Sequence, residues 1–214
     1  MDLLPLPSLL SLASTCSRLY QLLASPSLWR TLHLHPSMVT SPLESFYGML
    51  KDKGKHVRKI TFRCSGLLPE VLDGKDRLML EYAVEVCGGH LASLTVSNLR
   101  IRDLEIIAKN CQVLNSLSIG DLILEDSNQD WVWLGASAYK FQHLEHFSAN
   151  FRFGDDDAQD LCNRCRLIKA NVASRRLLHG LVKSNSSLKK MVLGLGGMRR
   201  LGKSLQRYFV SLLN

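Results

Sequence analysis

No run of about 18 uninterrupted apolar residues occurs in this chain, so no membrane-spanning helix is expected. Cysteine is thin as well: six residues, at 16, 64, 87, 111, 162 and 165, are too dispersed for a small disulfide scaffold and read as reduced, packed thiols. Catalytic signatures are missing. Neither G-x-S-x-G nor H-E-x-x-H is present, and the histidines sit in repeats or loops. Gly194-Leu-Gly196-Gly197 fits neither a dinucleotide fingerprint nor a phosphate loop and reads as a turn, while Gly202-Lys203-Ser204 lacks the upstream glycine. Cys162-Asn-Arg-Cys165 is the single C-x-x-C; without a second ligand pair it reads as two thiols on one helical face, after an Asp155-Asp156-Asp157 helix start. The expectation is a chain with no catalytic residues, no metal and no cofactor, and therefore not an enzyme.

The residues that are present suit a folded, soluble protein. Of 214 residues, 46% are hydrophobic and 21% charged, which allows one ordinary domain or one elongated repeat array with a small appendage. Lysine plus arginine exceed aspartate plus glutamate by 27 to 19, giving a net charge of +8. That balance suits an acidic partner or a nucleic acid. The cations are scattered, with local clusters only at Lys51–Lys59 and Lys189–Arg200, and no basic run is interleaved with aromatics, so nucleic acid is the less favoured partner. The apolar stretch from Met1 to Leu12 lacks a basic start and contains Pro5 and Pro7, so a secretory signal is not read and a cytoplasmic or nuclear location is expected.

Self-similarity is the strongest positive signal. Leu91-Ala-Ser-Leu94-Thr-Val96 is matched by Leu114-Asn-Ser-Leu117-Ser-Ile119, with Cys87-Gly88 and Asn110-Cys111 ahead of them at nearly the same distance. Looser copies are Val57-Arg-Lys-Ile60-Thr-Phe62, Leu144-Glu-His-Phe147-Ser-Ala149 and Leu188-Lys-Lys-Met191-Val-Leu193. In a short strand, alternate side chains point the same way, so Leu94 and Val96 share a buried face. Between copies lie amphipathic segments such as Arg102–Cys111, with Leu104, Ile107, Ala108 and Cys111 at helical spacing. Strand then helix, repeated, predicts parallel strands and the stacked units of a leucine-rich-repeat solenoid, an α/β class. Copies are separated by 34, 23, 30 and 44 residues, so insertions are expected between units. A plain α/β domain whose strands begin with leucine fits the same alternation.

Ahead of the repeats, apolar residues at 9, 12, 16, 19, 20 and 23 form a helical stripe, and Ser25-Pro26 predicts a second helix start. Leu9-Leu10-Ser-Leu12-Ala-Ser-Thr-Cys16-Ser-Arg18-Leu19-Tyr20, followed by Ser25-Pro26-Ser-Leu28-Trp29-Arg30, resembles the second half of an F-box. With the repeats behind it, the chain resembles the F-box and leucine-rich-repeat family. The resemblance implies a helical F-box remnant over 1–36, a linker over 37–56 and a repeat domain over 57–214 ending in a capping helix near Leu201–Leu213. It implies a substrate-recognition subunit of an SCF-type ubiquitin ligase. Its Leu9, Leu10, Leu12, Cys16 and Leu19 would face the Skp adaptor, and through it a cullin-RING ligase, or the core of the F-box itself. Trp29 reads as a packing anchor. Only eight residues precede Leu9, where an F-box normally carries a full opening helix, so weakened adaptor docking is expected. The alternative reading is a free-standing repeat scaffold that binds the partner without engaging the ligase and competes with a longer form.

Side chains between the buried strand positions should line the opposite, concave face. They are Lys59, Thr61, Arg63, Ser93, Thr95, Ser97, Ser116, Ser118, His146, Ser148, Asn150 and Lys190, with Val192 beside the last. Hydroxyls in the centre and basic charge on the outer rungs would suit a protein substrate presenting an acidic or phosphorylated segment.

Overall fold

The computed structural model describes residues 21, 25–35, 43–63, 74–124, 136–153, 175–177 and 179–195, and within them every repeat copy becomes a β-strand. The strands are β1 (Thr31–Leu34), β2 (Lys59–Phe62), β3 (Ser93–Arg100), β4 (Ser116–Leu124), β5 (His146–Phe153) and β6 (Lys190–Leu195). They form one six-stranded sheet in the order β1-β2-β3-β4-β5-β6. Every neighbouring pair is parallel. The fold class is therefore α/β.

Parallel neighbours need crossover connections, and helices supply them. Leu43–Lys53 (α1) lies between β1 and β2, Gly74–Cys87 (α2) between β2 and β3, and Ile101–Asn110 (α3) between β3 and β4. Residues 136–140 and 179–184 are also helical, ahead of β5 and β6. The strand order never reverses. Crossovers of one hand that all step the same way lie on one face of the sheet, so among the described residues the other face carries no helix. Packing agrees: Leu32, Ile60, Leu94, Leu117 and Phe147 from the strands share one buried cluster with Leu50 of α1, Met79 and Ala83 of α2, and Leu104 and Ile107 of α3. Between helices, Tyr47 stacks on Tyr82 with ring centroids 3.7 Å apart. Arg77 Nε lies 3.0 Å from the buried Asp103 carboxylate, joining α2 to the first turn of α3.

The same backbone junction recurs from strand to strand. The carbonyl oxygen of Arg30 accepts the N–H groups of both Arg58 and Lys59, and the carbonyl of Arg58 accepts those of Ala92 and Ser93. Ala92 does the same for Asn115 and Ser116, Asn115 for Glu145 and His146, and Glu145 for Lys189 and Lys190. One residue earlier stand Val57, Leu91, Leu114 and Leu144, all buried apolar side chains, and Trp29 completes the series at 5% exposure. Tight approach between units explains one glycine: a Cβ on Gly88, just past α2, would run into the carbonyl oxygen of Asn110 at the end of α3.

Four local expectations differ from what is observed. Thr31–Leu34, assigned from sequence to the helical appendage, is the first strand, because Leu32 and Leu34 alternate into the core behind Trp29. The proline-started helix is only a four-residue 3-10 turn, Pro26–Trp29, which ends as the chain extends into β1. The linker expected over 37–56 contains α1, whose Phe46 and Leu50 are buried. Gly194, read as a turn, lies inside β6, paired with Asn150 of β5.

Candidate functional site

The helix-free face is built by register. Opposite the buried strand residues, Lys59, Ser93, Ser116, His146 and Lys190 stand side by side across β2 to β6, and Thr31 of β1 begins the same row. Two residues along each strand, a second row holds His33, Thr61, Thr95, Ser118, Ser148 and Val192. Neighbouring members of a row are one strand spacing apart, about 4.8 Å. Lys59, His146 and Lys190 are exposed, while the serines and threonines of β2 to β5 are half-buried among their neighbours.

A third row is less regular. Arg63 and Asn150 are exposed, but the Ser97 hydroxyl of β3 donates a 3.2 Å hydrogen bond to the Phe62 carbonyl of β2. The register shifts between Ile119 and Asp121, and a Cβ on the displaced Gly120 would meet the Ser97 carbonyl oxygen. On the other side of β5, a Cβ on Gly194 would meet the Asn150 side-chain oxygen, so that carboxamide leans over β6. The first two rows are thus an ordered platform of hydroxyl groups flanked by cations, and the third is occupied by local contacts.

No carboxylate stands in the first two rows; in the third, Asp121 of β4 is paired in register with Asn150 of β5. The nearest are engaged elsewhere: Glu145 pairs with Lys189 at 3.0 Å, and Asp121 approaches Arg152 at 3.9 Å. Hydroxyls can donate or accept hydrogen bonds and lysine only donates, so the platform offers anionic or carbonyl oxygens more donors than acceptors.

Every face residue named from sequence among the described strands falls in these three rows, because a period of two leaves no other placement once the buried positions are known. Sequence reasoning missed Thr31 and His33, both exposed on β1. The signal was present: Trp29 precedes Val57 by 28 residues, and Leu32 and Leu34 repeat the alternation of Ile60 and Phe62. Leu9, Leu10, Leu12, Cys16 and Leu19, the residues expected to face an adaptor, lie outside the described residues, as do Cys162, Cys165 and the segment 201–213.

The described thiols lie on the helix side. Burial pushes Cys87 up to about 11 and Cys111 up to about 12, the latter also through its proximity to Cys87, so both are neutral thiols near pH 7. Among the described residues no three histidine, cysteine, aspartate or glutamate side chains converge as a metal site.

Residues 1–35 match the family model described as F-box-like. F-box-like domains in general bind the Skp adaptor of cullin-RING ligases, which gives this part of the chain a general adaptor-type, protein-binding role. Comparison with curated proteins and with solved structures yields no match. The matched segment does not stop short of the sheet. It includes the whole of β1.

Proposed function

We propose that this chain is a non-catalytic substrate-recognition subunit of an SCF-type ubiquitin ligase, in which an F-box-like segment docks on the Skp adaptor and a leucine-rich-repeat solenoid holds the protein to be modified. The observation that carries the reading is the continuity of the two parts: the F-box-like match over 1–35 runs directly into a parallel sheet that, among the described residues, carries helices on one face only. Buried Trp29 sits at that join.

The repeat reading is supported by the unreversed strand order and by the recurring junction at Arg30, Arg58, Ala92, Asn115 and Glu145. Parallel sheets ordinarily carry helices on both faces. A sheet covered on one side is the arrangement of stacked strand-helix units, each of which buries its apolar side only against its neighbours. The uncovered side then serves as a binding surface, with the conjugating enzyme of the ligase supplying the chemistry and cytoplasm or nucleus as its place of action.

The test is co-elution of the full chain with purified Skp adaptor and cullin on size exclusion, beside a Leu12→Glu/Leu19→Glu variant. Incorporation of the unaltered chain and its loss in the variant is the expected result. Failure of the unaltered chain to enter the complex would overturn the ligase assignment and leave the alternative of a free-standing repeat scaffold.

A further inference from the structure

Resting on the reading of the helix-free face as a partner surface, we infer that its occupant is an extended, carboxylate-rich segment of the partner protein, laid across the strands along the first two rows. The charges decide the chemistry. Lys59, His146 and Lys190 are exposed in one row, and no aspartate or glutamate stands among them. Glu145, just ahead of β5, is paired with Lys189 at 3.0 Å, and Asp121, inside β4 beyond the first two rows, lies 3.9 Å from Arg152.

Distance decides the form of the ligand. Lys59 on β2 and Lys190 on β6 are separated by four strand spacings, or about 19 Å at 4.8 Å each. A single phosphoryl group reaches one of these two lysines and leaves the other unused. An extended chain rising about 3.3 Å per residue covers the span with roughly six residues, enough for acidic side chains at both ends and one near His146. Between the ends, Ser93 and Ser116 supply hydroxyl donors to carboxylate oxygens. Small side chains there also leave the room that a crossing backbone needs. Two dispersed lysines are too few for the multiple phosphate contacts that hold a duplex.

The experiment is fluorescence anisotropy of the full chain with a labelled peptide of about eight residues alternating Glu and Gly, beside its Gln counterpart. A neutral peptide with one phosphoserine and a duplex of about 20 base pairs complete the set. The Glu peptide is expected to bind at least about tenfold more tightly than any of the others, and Lys59→Glu/Lys190→Glu to weaken it about tenfold or more. Lys109→Glu/Lys183→Glu, at exposed helical positions, should change it by less than about twofold. No binding of the Glu peptide, equal binding of the Gln peptide, indifference to Lys59→Glu/Lys190→Glu, or tighter binding of the phosphopeptide or duplex would overturn the inference. Skp adaptor binding is read on the same samples. Its loss with peptide binding intact faults the ligase reading, and the reverse faults the inference about the face.

Discussion

Asn185 donates its side-chain amide to the backbone carbonyl of Leu144, tying the turn before β6 to the start of the previous unit. Its side-chain oxygen also accepts the N–H of Ser187 at 2.9 Å. The residue is 3% exposed, so water does not replace either bond when the side chain is removed. Asn185→Ala should destabilise the protein by about 1–3 kcal/mol, read as a lowered denaturation midpoint with an unchanged slope.

Two adjacent glycines give a matched pair. A methyl group at Gly88 would collide with backbone of the next helix end, whereas at Gly89 it would meet nothing within 4 Å. Gly88→Ala should cost about 1–3 kcal/mol, and Gly89→Ala should be neutral or stabilising by up to about 1 kcal/mol. Thermal unfolding of the two variants side by side checks whether the units stack as closely as described.

Trp29 joins the F-box-like segment to the sheet. Because it occupies the position that Val57, Leu91 and Leu114 hold in later units, Trp29→Ala should cost about 3–5 kcal/mol, and Trp29→Phe clearly less. Chemical denaturation measures both. Equal stability of the alanine variant and the unaltered chain would mean that the indole is not part of the core.

Burial of Cys87 and Cys111 makes alkaline stability a reporter of the helix layer. Both pKa values are raised from 9.0, to about 11 and about 12, so folding favours the protonated thiols. Below pH 9 the two thiols add no pH dependence. Between about 9 and 12 the unfolded chain loses protons that the folded chain keeps, so stability falls as pH rises. At neutral pH, alkylation mapped by mass spectrometry should leave Cys87 and Cys111 unmodified in the folded protein and modify both in denaturant.

Much of the sheet was legible because a period of two is hard to disguise: once Leu94 and Val96 are placed in the core, Ser93, Thr95 and Lys59 have one face left to occupy. The α3 stripe of Leu104, Ile107 and Ala108 was legible for the same kind of reason. What escaped were features set by neighbours. β1 was hidden because Trp29 replaces the leading leucine and because its residues also complete the F-box resemblance. The bulge at Gly120 depends on the close carbonyl of Ser97, and Gly194 continues its strand beneath the Asn150 side chain rather than turning out of it. Both are contacts between units, which no single repeat copy displays.

The most direct test of the central claim is titration calorimetry of the full chain against purified Skp adaptor, with the Leu12→Glu/Leu19→Glu and Lys59→Glu/Lys190→Glu variants alongside. The expected dissociation constant is in the micromolar range or tighter, corresponding to about −8 kcal/mol or more favourable, lost in the first variant and kept in the second. Absence of binding up to about 100 µM adaptor, or equal binding by the Leu12→Glu/Leu19→Glu variant, would contradict it.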